Sequence, residues 1–197
     1  GIHPEGIKKK EKDWVPGNIL KIIEVGRLDV EKGQQVVIEA FRILKERNIK
    51  GIKMTFIGDG ANRPMLEKMV KVYGLSSSFS FLGMRDRKYI YTHLSDYDLF
   101  IQPSLSEGFG LTIAEAMAAR LPVITSDQAG SLEVLDGGRL GLSFKTGDAK
   151  DLANKIFDYY NGIISINADE GLSYVYANFD IKVTAQKYVE EYKKILC

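Results

Sequence analysis

Residues 98–127 read DLFIQPSLSEGFGLTIAEAMAARLPVITSD. An apolar run, Leu99-Phe100-Ile101, stops at Pro103; a loop of Ser and Gly follows; a helix-forming stretch from about 110 to 120 then leads into a second apolar run, Leu121 to Ser126. Strand, helix and strand in so short a span are the signature of a βαβ unit on a parallel sheet. From Leu111 to Ala119 the only charge is Glu115. That helix is expected to be buried, and because a bare buried carboxylate costs several kcal/mol, Glu115 should have hydroxyl or N–H partners.

The same rhythm extends in both directions. Strand candidates lie at 19–26, 52–58, 78–83, 98–103, 121–126 and 140–144, with helix candidates near 33–48, 62–73, 86–95, 110–120 and 148–161. Six strands alternating with amphipathic segments predict an α/β domain: a Rossmann-like, doubly wound parallel sheet of about six strands with helices on both faces. Residues 1–17, GIHPEGIKKKEKDWVPG, lack a periodic apolar face and read as a linker or lead-in, with Lys8-Lys9-Lys10 as a solvated stretch. Residues 18–197 form the domain. From about 163 only helices are expected, the last of them spanning 181–196 with Val183, Tyr188, Val189, Tyr192 and Ile195 on one face.

Composition narrows the function. The 197 residues are 45% hydrophobic and 27% charged, and 27 Lys plus Arg against 26 Asp plus Glu give a net charge of +1. Such a chain has no general field to recruit nucleic acid or anionic membrane, so any anion it binds must be held by local geometry. The single cysteine, Cys197, excludes an internal disulfide. No run approaches the about 20 apolar residues of a spanning helix, and no signal peptide opens the chain. The expected setting is cytoplasmic. Gly1 in place of Met suggests a piece of a larger protein.

Ligands of open α/β sheets sit beyond the carboxyl ends of the strands. The turn after the first strand, Gly26-Arg27-Leu28-Asp29-Val30-Glu31-Lys32-Gly33, sets two cations beside two glycines just before a helix, a seat suited to a phosphate or diphosphate. The competing reading is a surface cluster in which Arg27 and Lys32 pair with Asp29 and Glu31. The turn is neither a P-loop nor a dinucleotide fingerprint, and Gly58-Asp59-Gly60 is only half of the latter. The fourth turn is more specific. Glu107 and Glu115 bracket an eight-residue interval, about 12 Å at helical rise, and Gly108 and Gly110 clear the backbone where the helix begins. Acids at both ends and an anion cradle between them suit a hexose, a diphosphate and a ribose in a row.

The segments VGRLDVEKG (25–33), FIGDG (56–60), FLG (81–83), residues 98–127, GSLEV (130–134) and GDAKDLA (147–153) resemble, in order and spacing, the C-terminal domain of retaining glycosyltransferases of family 4, also called group 1, which have the GT-B fold. The resemblance implies a domain that binds a nucleotide-sugar donor for hexosyl transfer, with the acceptor held by a separate N-terminal domain. Arg27 and Lys32 would then clamp the diphosphate and stabilise the leaving group, and Glu107 would hold sugar hydroxyls. Gly108, Phe109, Gly110 and Leu111 would offer backbone N–H groups, with Gly26 and Thr112 alongside the donor. Glu115 would grip the ribose diol, and Met84 and Arg85 would lie at the base. No cofactor and no metal requirement are implied. The N-terminal domain would precede Gly1, so the chain alone would transfer sugar poorly; the full-length protein could touch the inner face of a membrane. The sequence departs from the family pattern at Arg120 and Ala129, where glycine is usual.

Other readings are weaker. Asp96-Tyr97-Asp98 matches a metal-binding Asp-x-Asp, but it precedes its apolar run instead of following it. His3 and His93 form no ligand cluster, and Ser104 and Ser106 lack a nucleophile-elbow context. A sugar-nucleotide epimerase would share the cradle but not the paired acids, and a non-catalytic nucleotide-binding module stays open.

Overall fold

The computed structural model describes residues 1–186 and Val189. Its core is a six-stranded parallel sheet, β1 (Leu20–Val25), β2 (Ile52–Ile57), β3 (Phe79–Phe81), β4 (Leu99–Gln102), β5 (Val123–Ser126) and β6 (Leu142–Phe144), in the order β3-β2-β1-β4-β5-β6. Each lies within a predicted span. β1 pairs with β2 from Leu20↔Ile52 to Val25↔Ile57, and with β4 through Ile22↔Leu99 and Ile23↔Phe100. The central strands are apolar on both faces because both are covered, as Ile22, Ile23, Phe100 and Ile101 show by their complete burial.

On one face lie α1 (Gln34–Glu46), α2 (Arg63–Val72) and α6 (Ala149–Tyr160), packed over Leu20, Ile22, Phe56 and Ile101. On the other lie α3 (Arg87–His93), α4 (Leu111–Ala118), α5 (Ala129–Val134) and α7 (Ala168–Asn178), packed over Ile23, Val25, Phe100 and Val123. Helix starts follow their capping residues: Asp86 accepts from Tyr89 N, Asp148 from Lys150 N and Asp151 N, and Asn167 from Glu170 N. Between β1 and β4 the connections diverge, α1 to one face and α4 to the other. This reversal opens a crevice at the carboxyl ends of the strands.

Three local expectations change. The segment 130–134 falls in none of the predicted helices, but it lies in α5, whose six residues are too few to display a helical period. The lysine run is not wholly solvated: Lys10 Nζ sits 2.8 Å from Asp98 Oδ1 with both side chains largely covered, while Lys8 and Lys9 are exposed. The lead-in clings to the domain through buried Ile2, Pro4 and Ile7 and through Trp14 stacked on Tyr159 and Tyr160. Ile2 N donates to Phe179 O (2.7 Å) and Ile181 N to Ile2 O (2.8 Å), so a short bridge joins Ile2 with the segment after α7. Residues 181–186 are helical and Val189 is exposed; Tyr188, Tyr192 and Ile195 of the predicted last helix lie outside the described residues.

Arg120 ends α4 in the left-handed region (φ 60°), which is why the family pattern favours glycine there. Its guanidinium compensates by reaching Asp169 of α7 (Nε to Oδ1, 2.6 Å) and Asp13 of the lead-in (2.8 Å). Arg120→Ala loses these ties and keeps the backbone strain, whereas Arg120→Gly loses only the ties. Thermal denaturation should therefore rank Arg120→Ala below Arg120→Gly by about 1 kcal/mol.

Candidate functional site

At Gly26 the chain leaves β1 and is laced at once to the turn after β2: Gly26 N donates to Ile57 O and Leu28 N to Asp59 O, both at 3.0 Å. Gly58 (φ 141°) makes this approach possible, since a Cβ there would lie 1.9 Å from Gly26 O. The half fingerprint at 58–60 is thus a packing requirement. Arg27 stands out into solvent, 3.2 Å from Asp29 Oδ2. Asp29 also caps the 3₁₀ turn Val30–Lys32, accepting from Lys32 N at 3.1 Å.

Lys32 does not join the surface cluster. Its Nζ crosses to the fourth turn and meets Glu107 Oε2 at 2.9 Å. The two turns touch along their backbones as well: Leu105 N donates to Glu31 O (2.7 Å), and at Gly33 (φ 70°) a Cβ would fall 2.1 Å from Pro103 O. Glu107 Oε2 accepts further from Ser104 Oγ (3.1 Å) and Gln102 Nε2 (3.2 Å), while Gln102 Oε1 takes the Thr112 hydroxyl (3.2 Å). The three contacts to Glu107, from Lys32, Ser104 and Gln102, all fall on Oε2. Among the described residues no hydrogen bond uses Oε1, so Glu107 is held through one oxygen and keeps the other unbonded.

The cradle that follows differs from expectation in detail. Around Gly108 a Cβ would meet open space, and among the described residues the N–H groups of Gly108, Phe109 and Gly110 have no partner. The Leu111 N–H, expected to be offered with them, already donates to Phe109 O (2.8 Å). At Gly110 a Cβ would lie 2.5 Å from Ile113 Cδ1, so a side chain there would displace that buried isoleucine. Phe109 and Leu111 are partly exposed, and the Phe109 ring rests edge-on against Phe179 (5.5 Å).

Glu115 finds the hydroxyl partner that its position required: Tyr91 on α3 donates to Oε1 at 2.9 Å. Burial raises the Glu115 carboxyl above its ordinary range, against the pull of that hydrogen bond and of the Arg87 charge. Burial and the neighbouring carboxylate push the Tyr91 hydroxyl up to about 12, so it stays a donor. Gly26, Arg27, Met84 and Arg85 line one cavity of about 180 Å³ together with Ile57 and Ile90. The structure thus brings the site residues together in two groups, Gly26, Arg27, Met84 and Arg85 around the cavity and Lys32, Glu107 and Thr112 in a hydrogen-bond network. Glu115 lines neither and is reached through Tyr91, next to Ile90 in sequence.

The alternatives have structural occupations. Asp98 sits at the amino end of β4, away from this crevice, and accepts from Lys10 Nζ and from Lys21 N (2.9 Å). His93 stacks on Tyr89 at 3.9 Å, and among the described residues no group of three metal-ligating side chains forms. Sequence reading missed Gln102, Ser104 and Tyr91. Gln102 left one signal, a lone amide at the carboxyl end of an apolar strand.

The model of the glycosyl transferases of group 1 matches residues 7–162. The amylovoran biosynthesis glycosyltransferase AmsK of Erwinia amylovora is 33% identical over 159 residues, covering 78% of this chain and 39% of that protein. The C-terminal domain of a group 1 glycosyl transferase, LpcC of Francisella tularensis, superposes with a TM-score of 0.77 at 25% identity, covering 92% of this chain and all of that one. HepE of Anabaena in complex with UDP-glucose superposes at 0.79, with 24% identity over 90% of this chain and 49% of that one. The chain thus spans well under two thirds of such full-length relatives.

Replacing the Tyr91 hydroxyl tests the pair it forms with Glu115. Tyr91→Phe leaves the ionised carboxylate without its donor, which should destabilise the chain by about 1–2 kcal/mol near neutral pH. A carboxyl raised by burial costs stability increasingly as pH rises above its ordinary value, and Tyr91→Phe raises it further. Denaturation as a function of pH should show the gap between variant and parent closing in acid and widening as Glu115 ionises.

Proposed function

The chain belongs to the glycosyl transferases of group 1, and we propose that it is the half of such an enzyme that binds a nucleotide-sugar donor, from which a hexosyl group is transferred with retention of configuration. One observation carries the reading. A cation and a carboxylate from segments far apart in sequence meet at the β1/β4 switch, Lys32 bound directly to Glu107. A diphosphate needs the cations and a sugar needs fixed acceptors.

In this reading the diphosphate lies beside the first turn. Arg27 is free to swing from its exposed pairing with Asp29, and Lys32 keeps two hydrogens to give after bonding Glu107. Both oppose the charge that grows on the leaving nucleotide as the glycosidic bond breaks, and no metal is needed for that task. The free Oε1 of Glu107 accepts from a sugar hydroxyl, and the N–H groups of Gly108, Phe109 and Gly110 face the same ligand. Glu115 accepts from the ribose diol. Met84 and Arg85, on the wall of the cavity beside Gly26 and Arg27, flank the base. The superposed HepE complex holds UDP-glucose, which supports a donor of this class.

The acceptor site belongs in this reading to an N-terminal domain outside these 197 residues, in keeping with the 39% of the Erwinia relative that they span. Transfer by the chain alone is accordingly expected to be poor. The reading places the work in the cytoplasm. Separately, no helix among the described residues is long and apolar enough to cross a membrane.

Calorimetric titration with UDP, GDP, ADP and their sugar conjugates, with and without a chelator, checks the assignment. At least one should bind, equally well in chelator. Glu115→Ala and Lys32→Ala should each weaken it by roughly 10- to 100-fold, the worth of a hydrogen bond to a charged group, and Arg27→Ala should weaken it as well. Binding of none by folded protein would refute the reading.

A further inference from the structure

β1 reads LKIIEV, one carboxylate in a strand covered on both faces. Glu24 is completely buried, and so is Gln34, the first residue of α1, which meets it from above the sheet. Gln34 Nε2 gives one hydrogen to Glu24 Oε1 (3.2 Å) and the other to the carbonyl of Arg27 (2.9 Å). The amide cannot be turned over, because its oxygen would then face the Arg27 carbonyl, acceptor against acceptor.

Two acceptors are left over in this pair of groups. Glu24 Oε2 and Gln34 Oε1 are both buried, and neither has a partner. An unmade hydrogen bond at such a place is expensive, and a single hydrogen on the carboxyl can satisfy both atoms by closing the acid–amide pair into a ring. The surroundings favour that hydrogen. Phe56 faces Glu24 in register from β2, and Ile101 of β4 lies level with it by extension of the β1–β4 pairing. The charged groups acting on it are Lys32 and Asp29 of the connecting turn, which oppose each other, and burial pushes the carboxyl up to about 8. The carboxyl also lies directly under the first turn, since a Cβ on Gly26 would sit 2.7 Å from Glu24 Oε1.

We propose that Glu24 is a positioning residue for the donor diphosphate: neutral, it completes the Gln34 amide that holds the Arg27 carbonyl and so fixes the turn 26–33; ionised, it withdraws that hydrogen and sets a negative charge beneath the anion's seat. The inference rests on the donor-site reading above. It has a thermodynamic counterpart. If ionisation of Glu24 weakens a nucleoside diphosphate, the diphosphate must by the same factor favour the protonated form, so binding on the alkaline side takes up a proton from the buffer and places it on Glu24 Oε2.

The test is titration of the 197-residue chain with UDP, GDP and ADP from about pH 7 to about pH 9, for the parent and for Glu24→Gln. Glutamine reproduces the closed pair with an N–H in place of the O–H and cannot ionise. The parent should lose affinity on the order of tenfold across this range, equivalent to a one-unit rise of the Glu24 titration on binding, while Glu24→Gln stays flat. Equal losses in both proteins, or a loss in neither, would overturn the inference and leave the donor site standing. Failure of all three diphosphates to bind would bring down the donor reading itself. A second readout needs no variant. Near pH 8 the binding enthalpy of the parent should differ between buffers of low and high ionisation enthalpy by the amount expected for proton uptake, and equal enthalpies would equally overturn the proposal.

Discussion

The ion pair between Lys32 and Glu107 spans the place where the sheet reverses its winding, and the geometry of the site depends on that crossing. Lys32 closes the turn that leads into α1, and Glu107 lies in the loop before α4, so each side chain belongs to a different face of the sheet. The backbone contact at Gly33 against Pro103, the bond from Leu105 N to Glu31 O and the lacing of Gly26 to β2 bring three strand ends into one rigid rim. An anion bound there, as proposed, would find Lys32 already in place, and only Arg27 would have to be ordered.

Beneath that rim the sheet carries an unusual load of buried polarity. Gln102, Ser104, Thr125 and Ser126 are all shut away from solvent at the carboxyl ends of β4 and β5 and are satisfied by one another, as in the bond from Ser126 Oγ to Ser104 O (2.6 Å). Apolar residues would hold the strands at least as firmly. What the polar set adds is direction: Gln102 and Ser104 fix one oxygen of Glu107 and leave the other without a bond among the described residues. Glu24 and Gln34 do the corresponding work under the first turn, though with a hydrogen bond still to be filled.

Much of this was readable before any coordinates. The six strands announced themselves as short apolar runs ending in Gly or a small polar residue, and parallel strands covered on both sides must look that way. Glu115 advertised its need for a partner by being the only charge in an apolar helix. Other features left no trace in the pattern. Tyr91 could not be named as that partner, because α3 and α4 meet only through the fold, and α5 is shorter than the window in which a helical period can be recognised. Lys32 was legible as a cation near a phosphate seat but not as the companion of Glu107, since local spacing favoured Glu31 and only topology brings residue 107 closer. Leu111 shows the limit from the other side: a motif supplied the residue, and the local turn had already used its hydrogen.

Phe179 has a part in both the boundary and the rim of the molecule. Its carbonyl holds Ile2, while its ring supports Phe109 beside the open backbone of the cradle. The lead-in and the loop before α4 thus share one support, so residue 2 cannot shift without disturbing the ring on which Phe109 rests.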